Sequence, residues 1–380
     1  MSDAAGGRVL FDHGPLPGGT LFAQPEAIIR ADTPEEVAPA FAAMERARAE
    51  GRWLAGYASY ELGYLLTERL VPLLPEARPE PLMLFGVFDA PHKPDPMPIP
   101  GDDVGFSDFR PAWKAAQYRA PFEQVTELLA AGDIYQANLT FPLVAEARGT
   151  PEALYAALIA RQSVPYGAFV DLGGPVLLSR SPELFFRVDA TGKIETHPMK
   201  GTQPRSPDPV VDAERKAWLA ADPKNRAENL MIVDLLRNDL SRVSEIGSVK
   251  VPELYKVESF ATVHQMISRI VAQLVPGTGL LDLFTALFPC GSVTGAPKIR
   301  AMEILRELEA GPRGAYCGSI GWMAPSGAME FNVAIRTIVL DAQGKARLNV
   351  GGGVVYDSTA QSEYEEALWK TRFATSLTQN

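Results

Sequence analysis

The sequence predicts an α+β fold, and three observations carry that prediction. Strand-like runs follow one another across short turns, as FNVAIRTIVL (331–340) and ARLNV (346–350) do across DAQGK. Long helical runs stand apart from them, notably at 224–243 and from about 360 to 375. No regular helix separates successive strands, which argues against a doubly wound parallel sheet.

The elements follow in order. Thr33-Pro34-Glu35-Glu36 opens a helix: Thr33 caps it, Pro34 suits its first turn and Glu36 closes a capping box. That helix runs to about Glu50, before Gly51, with Pro39 placed to kink it. WLAGYASYELGYLL (53–66) reads as strand and turn, and PLMLFGVFDA (81–90) as a second strand. PHKPDPMPIPGDD (91–103) holds five prolines and continues neither a helix nor a central strand. We take it as a linker, which divides the chain into an N-terminal region, 1–110, and a second region, 111–380.

Residues 118–131 read as a helix stopped at Gly132. In IYQANLTFPL (134–143), Ile134, Gln136, Asn138 and Thr140 share one face, either solvent-exposed or lining a wet pocket. The 224–243 helix carries an apolar stripe of Leu230, Val233, Leu236 and Leu240.

Totals bound the function. The 380 residues are 46% apolar and 22% charged, an ordinary globular composition. A net charge of −10 argues against nucleic acid as the main partner. Cys290 and Cys317 form no CxxC pattern, so no disulfide framework or zinc site is expected. The opening MSDAAGG has no basic region or apolar stretch of a signal peptide, and no run of about 18 apolar residues would span a membrane. A cytoplasmic protein is expected.

Several side chains are candidates for chemistry. Lys200 sits in IETHPMKGTQPR (194–205), at the end of a strand-like run and before a Gly-Thr turn. A free lysine amine is a nucleophile, and burial or a neighbouring cation frees it. Glu183, in SRSPELFF, would come near Lys200 through a strand pair across a turn at 189–193; a salt bridge is the alternative role for the pair. Glu363 and Glu366 lie three apart on the last helix and share a face. Together with Glu228 they would suit Mg²⁺, if their helices meet.

Gly351, Gly352 and Gly353 at a strand end permit either a tight bend or close approach of an anion to the backbone. Gly-Ser-Val-Thr-Gly before Pro297-Lys298 lacks the GxxxxGK[ST] spacing, so ATP binding is rejected. Arg336, inside an apolar run, needs a carboxylate partner, internal or on a ligand. His264, one of four histidines, is either structural or a site residue.

Ten ordered segments then carry a resemblance: GDIYQANL, SRSPELFF, PMKGT, RAENLMIVDLLRND, VHQMIS, FPCGSVTGAPKIRAMEIL, YCGSIGW, AIRT, GGGVVYDS and EYEEALWKT. Together they resemble the chorismate-utilising enzymes over about 115–375. GYASYELGY resembles the same family's N-terminal region more weakly. The resemblance implies large antiparallel sheets packed face to face with helices outside, an anthranilate synthase component I-like fold. Lys200 stands where anthranilate synthases have alanine, and it is similar to the branch that aminates chorismate at C4, the component I aminodeoxychorismate synthases.

What the resemblance implies for the site is specific. Mg²⁺ would be held by Glu228, Glu363 and Glu366, and Glu183 would be the general acid on the C4 hydroxyl. Lys200 would attack C2, and ammonia would replace it at C4 with the pyruvyl group retained. Tyr316, Arg336 and Gly351–Gly353 would hold carboxylates, Thr202 and Thr294 would line the pocket, and His264 would sit near the ring. Gln136 stands where isochorismate and salicylate synthases have a lysine base, so water attack is disfavoured. The product would be the precursor of p-aminobenzoate and folate, and a separate glutamine amidotransferase would supply ammonia.

Two alternatives remain: an anthranilate synthase component I, and a non-catalytic chorismate-binding regulatory subunit. His197 and Met199 depart from the family's usual residues in the lysine motif. The N-terminal serine motif for bound tryptophan is not evident, so the resemblance does not extend to tryptophan binding.

Overall fold

The computed structural model describes residues 6–260, 263–375 and 377. Two ten-stranded sheets organise them, and every strand pairing in both is antiparallel. The first sheet runs Gly295–Ala296, Gln136–Arg148, Lys345–Val354, Thr337–Leu340, Val176–Ser181, Tyr166–Asp171, Arg8–Phe11 and Thr20–Ala23 in spatial order. The second runs Met199–Pro204, Val263–Gln273, Lys193–Thr196, Leu184–Val188, Met329–Asn332, Ser319–Met323, Trp53–Ala58, Met83–Phe88 and Ala27–Ala31. The chain before the proline segment therefore feeds strands to both sheets.

The sheets pack face to face. Val9, Phe11 and Phe22 of the first share one apolar cluster with Leu84, Phe88 and Ile320 of the second. Helices cover the outer faces. On the first sheet these include Ala115–Ala131 through Val125, Pro151–Arg161 through Leu154 and Leu158, and Ala360–Trp369 through Tyr364 and Ala367. On the second they are Pro34–Ala49 through Phe41 and Met44, Pro223–Ser241 through Val233, Leu236 and Leu240, and Leu280–Leu287 through Phe284. Each fully buried leucine or phenylalanine in these seams contributes about 1.5–3 kcal/mol.

Local signals hold where they are steric. Glu36 accepts from the Thr33 backbone N–H at 3.0 Å, closing the predicted box. Gly132 ends its helix with φ +80°, a left-handed value that glycine adopts without a Cβ penalty. Asp222 caps Pro223–Ser241 by accepting from the Asn225 N–H at 2.8 Å and the Asn225 side-chain amide at 2.7 Å. Asp222→Ala is expected to destabilise the protein by about 1 kcal/mol, read as a lower denaturant midpoint; an unchanged midpoint would show that the cap contributes nothing.

Four expectations need correction. FNVAIRTIVL is not one strand: Met329–Asn332 lies in the second sheet and Thr337–Leu340 in the first, with 333–336 crossing between them. Arg336, at φ +51°, makes the turn that this crossing requires. Leu230 is exposed, and Ile232 takes its place in the core, because the buried face of that helix is rotated from the predicted stripe. The last helix is broken between Ala360–Trp369 and Arg372–Thr375. Finally, the polar face of Gln136, Asn138 and Thr140 is not solvent-exposed but fully covered, because the 290–296 segment and Glu309 lie over it.

Candidate active site

Lys200 lies on Met199–Pro204, the edge strand of the second sheet on the path through Val263–Gln273. Its backbone is pinned on both sides. Ser268 N–H donates to the Pro198 carbonyl at 3.1 Å, and the Gln265 amide donates to the Gly201 carbonyl at 2.8 Å. Gly201 has φ +84°, and a Cβ there would stand 2.7 Å from Asn225 Oδ1 on the neighbouring helix. Both the conformation and the space require glycine, which accounts for the hinge beside the lysine. Thr202 is exposed and donates to Gln265 Oε1 at 2.8 Å.

Glu183 directly precedes strand Leu184–Val188. Its N–H donates to Ser181 Oγ at 3.2 Å, and its carbonyl accepts from Val333 N–H at 3.0 Å. The side chain is buried, and burial pushes its carboxyl up to about 7, against the pull of the Ser292 hydroxyl and the Lys200 and Arg336 charges. Carboxyl Oε1 is buried without a hydrogen-bond partner. Burial draws the Arg336 guanidinium below its usual value, and Glu183 is the charge opposing that.

The opposite wall is built on the first sheet. Asn138, Leu139 and Thr140 pair with Gly353, Gly352 and Gly351. A Cβ on Gly353 would stand 2.9 Å from the Gln136 amide carbon, and one on Gly352 would stand 2.9 Å from Glu363 Oε2. A Cβ on Gly351 would meet the Leu139 carbonyl at 2.3 Å. The three glycines thus admit one side chain, one carboxylate and one neighbouring strand. Gln136 is fully buried, and neither its amide nitrogen nor its oxygen has a partner. Orphaned groups of this kind are rare in folded proteins and mark a place where a polar partner belongs.

Glu363 and Glu366 share one face of Ala360–Trp369, above Gly352. Glu363 accepts from Ser358 Oγ at 2.7 Å, and Glu366 pairs with Lys370 Nζ at 2.9 Å. Lys370 Nζ also donates to the Gly351 carbonyl at 2.8 Å. Burial raises the Glu363 carboxyl, and the Glu366 and Glu228 charges raise it further. Lys370 lowers the Glu366 carboxyl, with Lys200 and Lys224 adding to it. Lys200 therefore stands in the fields of both Glu183 and Glu366, one on each wall.

Among the described residues, no three His, Cys, Asp or Glu side chains stand close enough to grip a metal ion. The acids nevertheless fit a hard divalent cation by their chemistry. Glu228, Glu363 and Glu366 are oxygen donors that act on one another electrostatically, and Lys370 supplies positive charge at Glu366. Lys370 was missed from the sequence, although it lies one turn beyond Glu366. Ser292 was missed too, since nothing in GSVTG distinguishes a hydroxyl that faces Glu183.

Three expected site residues have their polar groups engaged within the protein. His264 is buried with Nε2 3.0 Å from Asp212 Oδ1 and Nδ1 2.9 Å from Ser259 Oγ, so both ring nitrogens are committed. Asp212 also takes Arg205 Nε at 2.9 Å, tying the helix Pro209–Ala221 to the lysine strand. Tyr316 lies in the core of the second sheet, bonded to the Cys317 side chain. Thr294 is fully buried, and its hydroxyl donates to the Cys290 and Gly291 carbonyls at 3.4 and 3.3 Å. Burial pushes both cysteine thiols up to about 12, far from activation.

Comparison with known proteins bears on the family and the fold. A family model described as chorismate binding enzyme matches residues 6–376. Aminodeoxychorismate synthase component 1 of Escherichia coli (strain K12) is 46% identical over 264 residues, 70% of this chain and 58% of that protein. Anthranilate synthase component 1 of Methanothermobacter thermautotrophicus is 41% identical over 250 residues, 66% of this chain and 53% of that protein. These alignments thus span less than two thirds of either relative. Among solved structures, anthranilate synthase component I from Streptococcus pneumoniae aligns at TM-score 0.77 and 27% identity, covering 100% of this chain and 93% of that one. It bears out face-to-face antiparallel sheets with outer helices. With the family model spanning nearly the whole chain and both walls of the cleft in place, the chain belongs to the chorismate binding enzyme family.

Proposed function

We propose that this chain aminates chorismate at C4 with ammonia, giving 4-amino-4-deoxychorismate, the precursor of p-aminobenzoate and folate. The observation that carries the reading is Lys200, held on a pinned strand between Glu183 and Glu366. The 46% identity to a protein named aminodeoxychorismate synthase component 1 supports it. Anthranilate synthase component I is the rival reading, supported by the 41% relative. A non-catalytic chorismate-binding subunit is disfavoured by the retention of Lys200 within the field of Glu183.

The residues divide the work. Glu183, with a carboxyl near 7, is largely protonated at slightly acid pH and gives its proton to the C4 hydroxyl, which leaves as water. Lys200, as the free amine, bonds C2 while the ring double bonds shift. Ammonia then bonds C4, the double bonds shift back, and the C2–nitrogen bond breaks to free Lys200. The proton shed by the incoming nitrogen returns to Glu183. Arg336 has its guanidinium in the site without a paired carboxylate other than Glu183 at a distance, which suits a substrate carboxylate. Glu228, Glu363 and Glu366 would hold Mg²⁺, which when bound supplies positive charge to the ring carboxylate.

Neither cysteine is a credible glutaminase nucleophile at a thiol pKa of about 12, so ammonia would come from a glutamine amidotransferase partner. Among the described residues no helix is long and apolar enough to cross a membrane. We place the enzyme in the cytoplasm.

The test mixes the purified chain with chorismate, Mg²⁺ and an ammonium salt. p-Aminobenzoate is expected only after an aminodeoxychorismate lyase is added, and chelation of Mg²⁺ is expected to stop the reaction. Pyruvate and anthranilate released without the lyase would instead establish the rival reading.

A further inference from the structure

A cavity of about 520 Å³ opens at Thr140 and Asn349, on the same two strands that carry Gln136 and Gly351–Gly353. It opens between the 77–79 segment, the strands Gln136–Arg148 and Lys345–Val354, and the 309–312 turn. Its size is that of a small-molecule pocket. Prolines give it apolar walls, and Arg78, Arg347, Asn349 and Glu309 are polar groups along it, the Glu309 carboxylate being taken by Thr140 and Arg313.

The polar groups are poorly satisfied from within. Arg347 pairs with Glu80 through one terminal nitrogen, yet its Nε is buried without a partner. Arg78 donates to the Pro75 carbonyl and, at 2.6 Å, to the Asp32 carbonyl, and its Nε is likewise buried and unpartnered. The Asn349 side chain beside them is 5% exposed. Buried donors without acceptors are costly, and two such guanidinium donors with an amide beside them ask for an oxygen-rich group.

Charge points the same way. Glu80 answers Arg347, and Glu309 answers Arg313 at 2.8 Å. The hydrogen-bond acceptors of Arg78 are backbone carbonyls, and the Asp32 carboxylate in its field is taken by Arg30 at 2.6 Å. The cavity thus retains one positive charge beside apolar walls. We propose that it is a second binding site, separate from the catalytic cleft, for a small organic carboxylate with a flat apolar body. The carboxylate meets Arg78, Arg347 and Asn349, and the body lies against the prolines and Ala310.

The probe is 2-naphthoate, with neutral 2-naphthamide of the same shape as control, titrated calorimetrically into the full chain. Saturable binding is expected for the carboxylate and at least tenfold weaker binding for the amide. Arg78→Gln is expected to weaken the carboxylate about tenfold by removing the unbalanced charge. Ala310→Trp, at an exposed rim, is expected to block the cavity without touching the core. Excess chorismate is expected to leave 2-naphthoate bound. The site is refuted if 2-naphthoate fails to saturate, if the amide binds as well, if both variants bind like the parent, or if chorismate displaces the probe.

Discussion

Lys200→Ala is expected to lower ammonia-dependent p-aminobenzoate formation, assayed with excess lyase, by at least about 10³-fold, since removing a covalent nucleophile costs on that scale. The loss should fall on kcat, with chorismate binding largely kept, because the carboxylate-binding groups are on other elements. Lys200→Arg separates chemistry from charge. Arginine preserves a cation in the fields of Glu183 and Glu366 but has no free amine to bond C2. If Lys200 is the nucleophile, both variants fail alike. If it is only a counter-charge for the two acids, arginine restores much of the rate, and the covalent route is wrong. Gly201 and the Pro198 carbonyl contact keep the backbone in place in either variant.

Glu183→Gln should cost about 10²–10⁴-fold, the usual contribution of one general acid, and should also change the shape of the pH profile. The parent carboxyl titrates at about 7, so its proton-donating form disappears as pH rises through 7. The alkaline limb of the parent's kcat near pH 7 should be absent from the glutamine variant. A limb that persists unchanged would assign it to another group.

The same shift links stability to pH. A carboxyl of ordinary value 4.5 that titrates at about 7 when folded contributes stability that is fully present below 4.5 and is lost as pH rises through 7. Glu61, buried and also raised to about 7, adds the same slope in both proteins. Melting temperature should therefore fall between pH 4.5 and 8 less steeply in Glu183→Gln than in the parent. Parallel curves would mean that Glu183 is not raised by burial.

Local signals in the sequence reached the structure where a residue's own stereochemistry sets the outcome, as with Thr33 and Glu36 at a helix start or Gly132 at a helix end. The placement of Lys200 beside the Gly201 turn, and of Glu363 and Glu366 on one helix face, was legible because their spacing is local. What was not legible depends on long-range placement. FNVAIRTIVL is mostly apolar because both sheets bury their inner faces, and its few polar residues, Asn332, Arg336 and Thr337, fall at the passage from one sheet to the other without a glycine or proline to mark it. Leu230 fits the helical period as well as Ile232 does, and only packing decides which is covered. Nothing near His264 in the sequence shows that Asp212, 52 positions earlier, holds its ring. Lys370 gained meaning only when its amine was found on the Gly351 carbonyl.

The pairing of Gln136–Arg148 with Lys345–Val354 joins segments about 200 residues apart, the last of which lies close to the C-terminal end of this chain. During synthesis the earlier strand waits for its partner, with one edge of thirteen residues unpaired and largely apolar on one face. Such an edge is a template for wrong partners, and late long-range pairing slows folding. Gln136, Gly353, Glu363 and Lys370 come together only after that strand arrives, so a chain interrupted before it lacks this arrangement and keeps the edge exposed. Assembly of this part of the fold thereby waits on the arrival of residues 345–370.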